Sequence, residues 1–153
     1  MPGDSDIRCS VTVMPVISSN GKYKIGFVRR HGNDSYLPGT LVAPGGKLEK
    51  RDGRPVHDVM YFSPEDCAVR ELLEECNLKI TKSQLRYFCG LTLPNGKVVL
   101  SFYCLFSKEP GKAKRLVYLT ESETRKKKDF APGMEFEALM LFRLIKSQNS
   151  SRK

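Results

Sequence analysis

A chain of 153 residues, 40% hydrophobic and 28% charged, is long enough to bury a sizeable core and has the composition of an ordinary globular protein. Its sequence holds no apolar run near the roughly 20 residues of a membrane-spanning helix, so no membrane partner is expected. The net charge of +9 favours anionic partners such as nucleotides or nucleic acid. Clusters such as Arg125-Lys126-Lys127-Lys128 and Arg51 with Arg54 are equally at home in solvated loops.

The opening Met1–Asp6 segment is polar and acidic, unlike a secretory signal or an Arg-rich import peptide. Five cysteines, at 9, 67, 76, 89 and 104, are scattered with no CxxC pair. They read as small core residues in a reducing, cytoplasmic setting rather than as a zinc site or a disulfide framework.

Cys9 to Ile17 alternates Val11, Val13, Pro15 and Ile17, a strand whose proline marks an edge or a bulge. Asn20-Gly21 signals a hairpin into a second strand, Tyr23 to Arg29. Leu41-Val42-Ala43 is a short apolar run before Pro44-Gly45-Gly46-Lys47-Leu48-Glu49, where a glycine pair lets backbone approach a ligand and offer a carbonyl to a metal. Pro64 to Cys76 is a helix with punctuation at both ends. Ser63 suits the N-cap, Pro64 the first helical position, Glu65 and Asp66 the positive terminus, and Asn77 the left-handed exit. Leu85 to Leu93 and Val98 to Phe106 flank Pro94-Asn95-Gly96, a second hairpin. Arg115 to Leu119 and Phe136 to Leu144 read as further strands, and residues 147–153 as a flexible tail after a single domain spanning 1–146.

On the helix, Glu71, Glu74 and Glu75 fall at i, i+3 and i+4, which places three carboxylates on one face. Their repulsion is relieved by a divalent cation, and hard cations such as Mg²⁺ take oxygen ligands. The remaining face, Ala68, Leu72, Leu73 and Cys76, is expected to pack on a sheet. Glutamate-rich faces are also common on plain exposed helices, so the surrounding sequence decides between the readings.

Gly45-Gly46-Lys47-Leu48-Glu49 and Ala68 to Leu78 together resemble the Nudix box, whose pattern is G-x5-E-x7-R-E-U-x-E-E-x-G-U with U a bulky aliphatic residue. Gly46, Arg70, Glu71, Leu72, Glu74, Glu75 and Leu78 match it. The resemblance implies an α/β fold, the Nudix α/β/α sandwich with a mixed central sheet. Only a short polar stretch follows Leu144, so the helix on the second face is expected to be short or absent. Two departures stand out. Gly46 and Arg70 lie 24 positions apart where the pattern has 14, so about ten residues, near 50–61, are inserted and expected to form a loop. Counting back from Arg70 puts Phe62 at the first box glutamate, and counting forward from Gly46 puts Asp52 there. In the family that glutamate pairs with the box arginine, and Glu49, Asp52 and Glu65 all stand as substitutes. Asn77 replaces the box glycine.

The implied activity is metal-dependent hydrolysis of a diphosphate linkage in a nucleoside diphosphate-X substrate. By resemblance, Glu71, Glu74 and Glu75 hold Mg²⁺ or Mn²⁺ beside the Gly46 carbonyl, and Arg70 and Gly45 support the site. Lys47 reaches a substrate phosphate, and Glu74, Glu75 and Glu135 are the catalytic carboxylates. Glu135 is preferred as the distant general base because Met134 to Ala138 precedes the last expected strand; Glu137, Glu121 and Glu123 follow. Gly39-Thr40-Leu41 with the two box segments looks similar to the MutT-like nucleoside triphosphate branch, which includes enzymes that clear oxidised nucleotides. Two alternatives remain open. One is a hydrolase of the RNA 5′ end, with Lys126 to Lys128 as its groove. The other is a catalytically weak Nudix-fold module that binds RNA or nucleotide, a reading fed by the displaced first glutamate. Tyr23, Phe27, Tyr36, Tyr87 and Phe102 are candidate walls for a base and equally candidate core. Monomer and homodimer are both compatible with the sequence.

Overall fold

The longest strand, β1 (Cys9–Ser19), changes partner at its proline. In the computed structural model, which describes residues 7–33 and 37–150, Ser10 to Thr12 pair with β4 (Gly45–Lys47) and Val16 to Ser19 pair with β2 (Lys22–Arg29). Pro15 has no amide hydrogen to give a ladder and falls between the two pairings. Tyr36 and residues 151–153 of the expected tail lie outside the described residues. The chain divides into two compact units, and the division in β1 falls between Met14 and Pro15.

One unit holds the chain before Pro15, Pro44–Cys104 and Pro110–Lys114. Here β1 neighbours β8 (Val98–Phe106), and β8 pairs antiparallel with β7 (Arg86–Thr92). Helix α1 (Pro64–Cys76) packs on β4 and has the expected caps. Ser63 Oγ accepts the Asp66 amide at 3.1 Å, and Asn77 exits with φ of 50°. The far end is closed by two bonds to the 110–114 segment: Lys114 N donates to the Cys76 carbonyl at 2.7 Å, and Asn77 Nδ2 donates to the Lys112 carbonyl at 3.0 Å. These bonds satisfy groups that a helix terminus otherwise leaves unpaired.

The buried row of α1 is Cys67, Ala68, Glu71, Leu72 and Cys76. Leu73, expected on this face, is 45% exposed, and Glu71, expected outside, is buried. At a helical step of about 100°, positions 71 and 73 lie equally far from a stripe through Ala68, Leu72 and Cys76, and buried Cys67 turns the packed face toward 71.

The stretch near 50–61 is not a loop. A 3-10 turn (Lys50–Asp52) leads into a hairpin of β5 (Gly53–Val56) and β6 (Val59–Phe62), in which Arg54 faces Tyr61 and Val56 faces Val59. Ser63 N donates to the Asp52 carbonyl at 2.7 Å, so the chain closes across the base of the hairpin.

The other unit holds Pro15–Ala43, Leu105–Glu109 and the chain from Arg115 onward. In it β2 pairs with the second half of β1, with β3 (Leu41–Val42) and with β9 (Leu116–Leu119). The β1–β2 turn has Asn20 at φ 53° and Gly21 at φ 74°. Two successive left-handed residues match the right-handed twist of the flanking strands, which explains the Asn-Gly pair.

The C-terminal region departs most from expectation. Phe136 to Leu144 is helix, not strand, and belongs to α3 (Met134–Ser150), 17 residues long rather than short or absent. Ala138, Leu141, Phe142 and Ile145 are all at most 3% exposed. That spacing of i, i+3, i+4 and i+7 has the helical period, whereas a short apolar run alone fits either period. Residues 147–150, expected in the tail, complete the same helix. A short helix, α2 (Glu121–Lys126), occupies part of the lysine-rich stretch, started by a capping box between Thr120 and Glu123. The whole is a mixed sheet with few helices, and no described helix is long and apolar enough to cross a membrane.

Because the hairpin is closed at its base, its removal is expected to leave the fold intact. Replacing Gly53–Phe62 by one glycine should move the thermal midpoint by less than about 5 °C, read by circular dichroism. A loss of cooperative melting would show that the hairpin is part of the core.

Candidate active site

The site grows from a strand too close to its neighbours for side chains. A Cβ on Gly45 would lie 2.1 Å from the Val11 carbonyl oxygen, and one on Gly46 would lie 2.3 Å from Glu71 Oε1. The glycine pair therefore lets β4 fit between β1 and α1 and lets the Glu71 carboxylate rest on bare backbone. Gly45 N also donates to Glu75 Oε1 at 3.2 Å.

Arg70 organises the acidic groups. Its Nε and Nη2 donate to Asp52 Oδ1 and Oδ2 at 2.9 and 2.7 Å, a two-pronged pair. Its Nη1 reaches Glu71 Oε1 at 2.9 Å and Glu74 Oε2 at 3.3 Å. Asp52 Oδ2 also accepts the Glu49 amide at 2.8 Å. Burial of Asp52 works to raise its pKa, but the Arg70 and Glu49 bonds outweigh it and hold the carboxyl below its ordinary value. The Asp52 bond, opposed by burial, raises Arg70 further, so the guanidinium stays charged. Glu71 moves the other way: its burial raises it against the pull of Arg70. Cys67, beside Asp52 and Arg70, is pushed up to about 12, chiefly by burial and then by the Asp52 charge, so it stays a neutral thiol.

Of the three acidic candidates, Asp52 makes the two-pronged pair with Arg70, Glu49 Oε1 lies 3.9 Å from its Nη1, and no ion pair among the described residues joins Glu65 to it. Forward counting from Gly46 already reached this position. What hid it was the insert: residues 53–62 are ten, and Ser63 to Val69 then supply the seven that the pattern requires before the arginine. Arg51, which the sequence offered only as part of a basic cluster with Arg54, donates to Glu49 Oε2 at 2.6 Å and pairs with Glu74 Oε1 at 3.0 Å.

The structure brings Gly45, Gly46, Arg70, Glu71, Glu74 and Glu75 together in one unit. Lys47 lies on the same strand, lining a small cavity of about 210 Å³ with Arg8 and Lys97. Glu135 belongs to the other unit, in the first turn of α3 rather than ahead of a strand. Among its alternates, Glu121 is held by Lys146 at 2.9 Å and Arg125 at 3.4 Å, and Glu123 caps α2.

Carboxylate oxygens on one helix with a glycine strand alongside are the donor type a hard divalent cation takes. As placed, Glu71 and Glu74 are balanced by Arg70 and Arg51, and no three His, Cys, Asp or Glu side chains among the described residues converge as a metal cluster. Glu74 is exposed, and turning it away breaks a surface ion pair with Arg51, worth about 1 kcal/mol or less, and a 3.3 Å contact with Arg70, which Asp52 and Glu71 still hold.

The chain matches no protein-family model and no curated relative. Solved structures do match. The NUDIX domain of Shewanella oneidensis NrtR, solved with ADP ribose, is similar at TM-score 0.62 and 16% identity, over 89% of this chain and 87% of that one. A MutT/nudix family protein from Enterococcus faecalis is similar at TM-score 0.57 and 18% identity, over 78% of this chain; the match spans 46% of that protein's length. The C-terminal domain of mouse MUTYH, solved with human PCNA, is similar at TM-score 0.63 and 15% identity, over 93% of this chain and 89% of that domain. The fold is the Nudix α/β/α fold.

The Asp52–Arg70 pair is the test of this geometry. Asp52 is 3% exposed and meets two donors of Arg70, so Asp52→Ala leaves Nε and Nη2 without their carboxylate and is expected to cost about 3 kcal/mol. The folded pKa of Asp52 is depressed, so its contribution is complete above the unfolded value near 4 and fades as pH falls through the folded value. Chemical denaturation of wild type and variant should therefore differ at pH 7 and converge toward pH 2. A gap that persists at low pH would refute the charge pairing.

Proposed function

We propose that this chain is a metal-dependent pyrophosphohydrolase acting on a nucleoside diphosphate-X substrate, with nucleoside triphosphates, including oxidised ones, as the first choice. One observation carries the reading. Asp52 restores the arginine-pairing position of the Nudix box across a ten-residue interruption, while Glu71, Glu74 and Glu75 keep their places on α1.

In this reading Glu71, Glu74 and Glu75 hold Mg²⁺ or Mn²⁺, with the Gly46 carbonyl as a further donor. A cation held there would supply charge neutralisation at the diphosphate and a lower pKa for the attacking water. The chain's own contributions are positional. Asp52 fixes Arg70, and Arg70 holds the Glu71 and Glu74 carboxylates. Glu71 sits on Gly46 because no side chain intervenes. Lys47 supplies a cation to a substrate phosphate.

A second reading has one specific support. Glu71 and Glu74 are already paired with arginines, an arrangement suited to a module that binds nucleotide without turning it over. Phosphate release with Mg²⁺ or Mn²⁺ separates the two. The panel holds nucleoside triphosphates, 5′-triphosphorylated RNA and ADP-ribose, the last because the similar NrtR domain was solved with it. Turnover without added metal, or none on any substrate, counts against the hydrolase.

Glu74→Gln is expected to lower metal-dependent turnover by about 100-fold or more, since a lost charge at the cation removes several kcal/mol of transition-state stabilisation. Its thermal midpoint should stay near wild type because the side chain is exposed.

A further inference from the structure

The hairpin that interrupts the motif has two unlike faces. Gly53, Pro55, Met60 and Phe62 share one face by register, and a Cβ on Gly53 would lie 2.8 Å from Phe62 Cδ1 and 3.1 Å from Met60 Sδ. Phe62 and Met60 therefore close over Gly53. The opposite face carries the cross-strand pairs Arg54–Tyr61 and Val56–Val59, all exposed, with Tyr61 at 57%. An isolated two-stranded hairpin is marginal in water, and cross-strand pairs left open to solvent add little to it. An exposed tyrosine beside an arginine points instead to recognition.

A cavity of about 430 Å³ opens there, lined by Arg51, Arg54, Tyr61, Phe62, Ser63 and Lys82. Two carboxylates also line it, and both are occupied: Asp52 by Arg70, and Asp66 by Lys82 at 3.2 Å. Arg54 makes no ion pair among the described residues. The Lys82–Asp66 pair is largely exposed, so Lys82 changes partner at little cost. The lining thus combines an aromatic face, a free guanidinium and a readily released ammonium. Stacking on an aromatic ring with cations alongside for the backbone is how proteins hold a nucleotide. Arg51 links the cavity to the carboxylates of α1, because it lines the one and pairs with Glu74 at 3.0 Å.

We propose that the inserted hairpin and this cavity bind one nucleotide unit of the substrate, its base stacked on Tyr61 and its phosphate between Arg54 and Lys82. The substrate role rests on the hydrolase reading; the binding itself does not. Binding energy gathered at such a remote part of a substrate is available to hold the reacting diphosphate in place. The free end of a ribonucleotide chain and a single nucleotide present the same chemistry here.

The test is an amide chemical-shift titration of the full chain, without metal, using AMP and a 5′-phosphorylated RNA tetramer as probes. At least one probe is expected to shift the amides of 53–62 and Lys82. Tyr61→Ala and Arg54→Ala should each weaken that binding about 10-fold, and Tyr61→Phe should restore it. Response to AMP assigns the site to a mononucleotide, and response to the tetramer alone assigns it to an RNA end. Shifts lying wholly elsewhere, or equal affinity in wild type and both alanine variants, overturn the proposal. Hairpin shifts in a protein that turns over nothing would remove the hydrolase and leave the nucleotide site. Turnover with a silent hairpin would do the reverse.

Discussion

Arg70 stands among four carboxylates and a backbone carbonyl, and its environment leaves it little exposed. A guanidinium out of water is tolerable only when its donors are met. Here Asp52 meets two of them in a parallel fork, Glu71 and Glu74 share a third, and the Lys47 carbonyl lies 3.4 Å from Nη2. The same contacts join the helix to the strand of glycines and to the 3-10 turn that follows it. Without the arginine, four acidic side chains, at 49, 52, 71 and 74, would face one another with only Arg51 between them.

Close backbone approach is the second constraint on this cluster. Gly45 and Gly46 place β4 so near β1 and α1 that a methyl group at either position would collide with backbone or carboxylate. Glu71 is buried by this approach and so is less acidic than usual, whereas exposed Glu74 keeps the freedom to leave Arg51. Carboxylates four residues or fewer apart on one helix thereby acquire different environments, which allows them different roles.

The hairpin shows how such a motif survives interruption. The cost of closing a longer loop grows only slowly with length, and the Ser63–Asp52 bond pins the two ends of the insert together. The arginine fork therefore forms as though the ten residues were missing. Those residues are then free to carry other chemistry, and the open Arg54–Tyr61 face is what they carry.

Local chemistry made much of this legible in the sequence. Ser63, Pro64 and Asn77 bounded α1 correctly, Asn20-Gly21 and Pro94-Asn95-Gly96 placed two hairpins, and the REUxEE spacing put the three glutamates on one helix. These signals depend on one turn or a few adjacent residues, so no distant contact is needed to read them. The choice among Glu49, Asp52 and Glu65 was not of that kind, because it turned on where a ten-residue insertion began and ended. Only the meeting of Asp52 with Arg70, 18 positions apart, decided it. Burial likewise turned Phe136 to Leu144 into helix and exchanged Leu73 for Glu71 on the packed face, since an apolar run takes its period from the surface it covers.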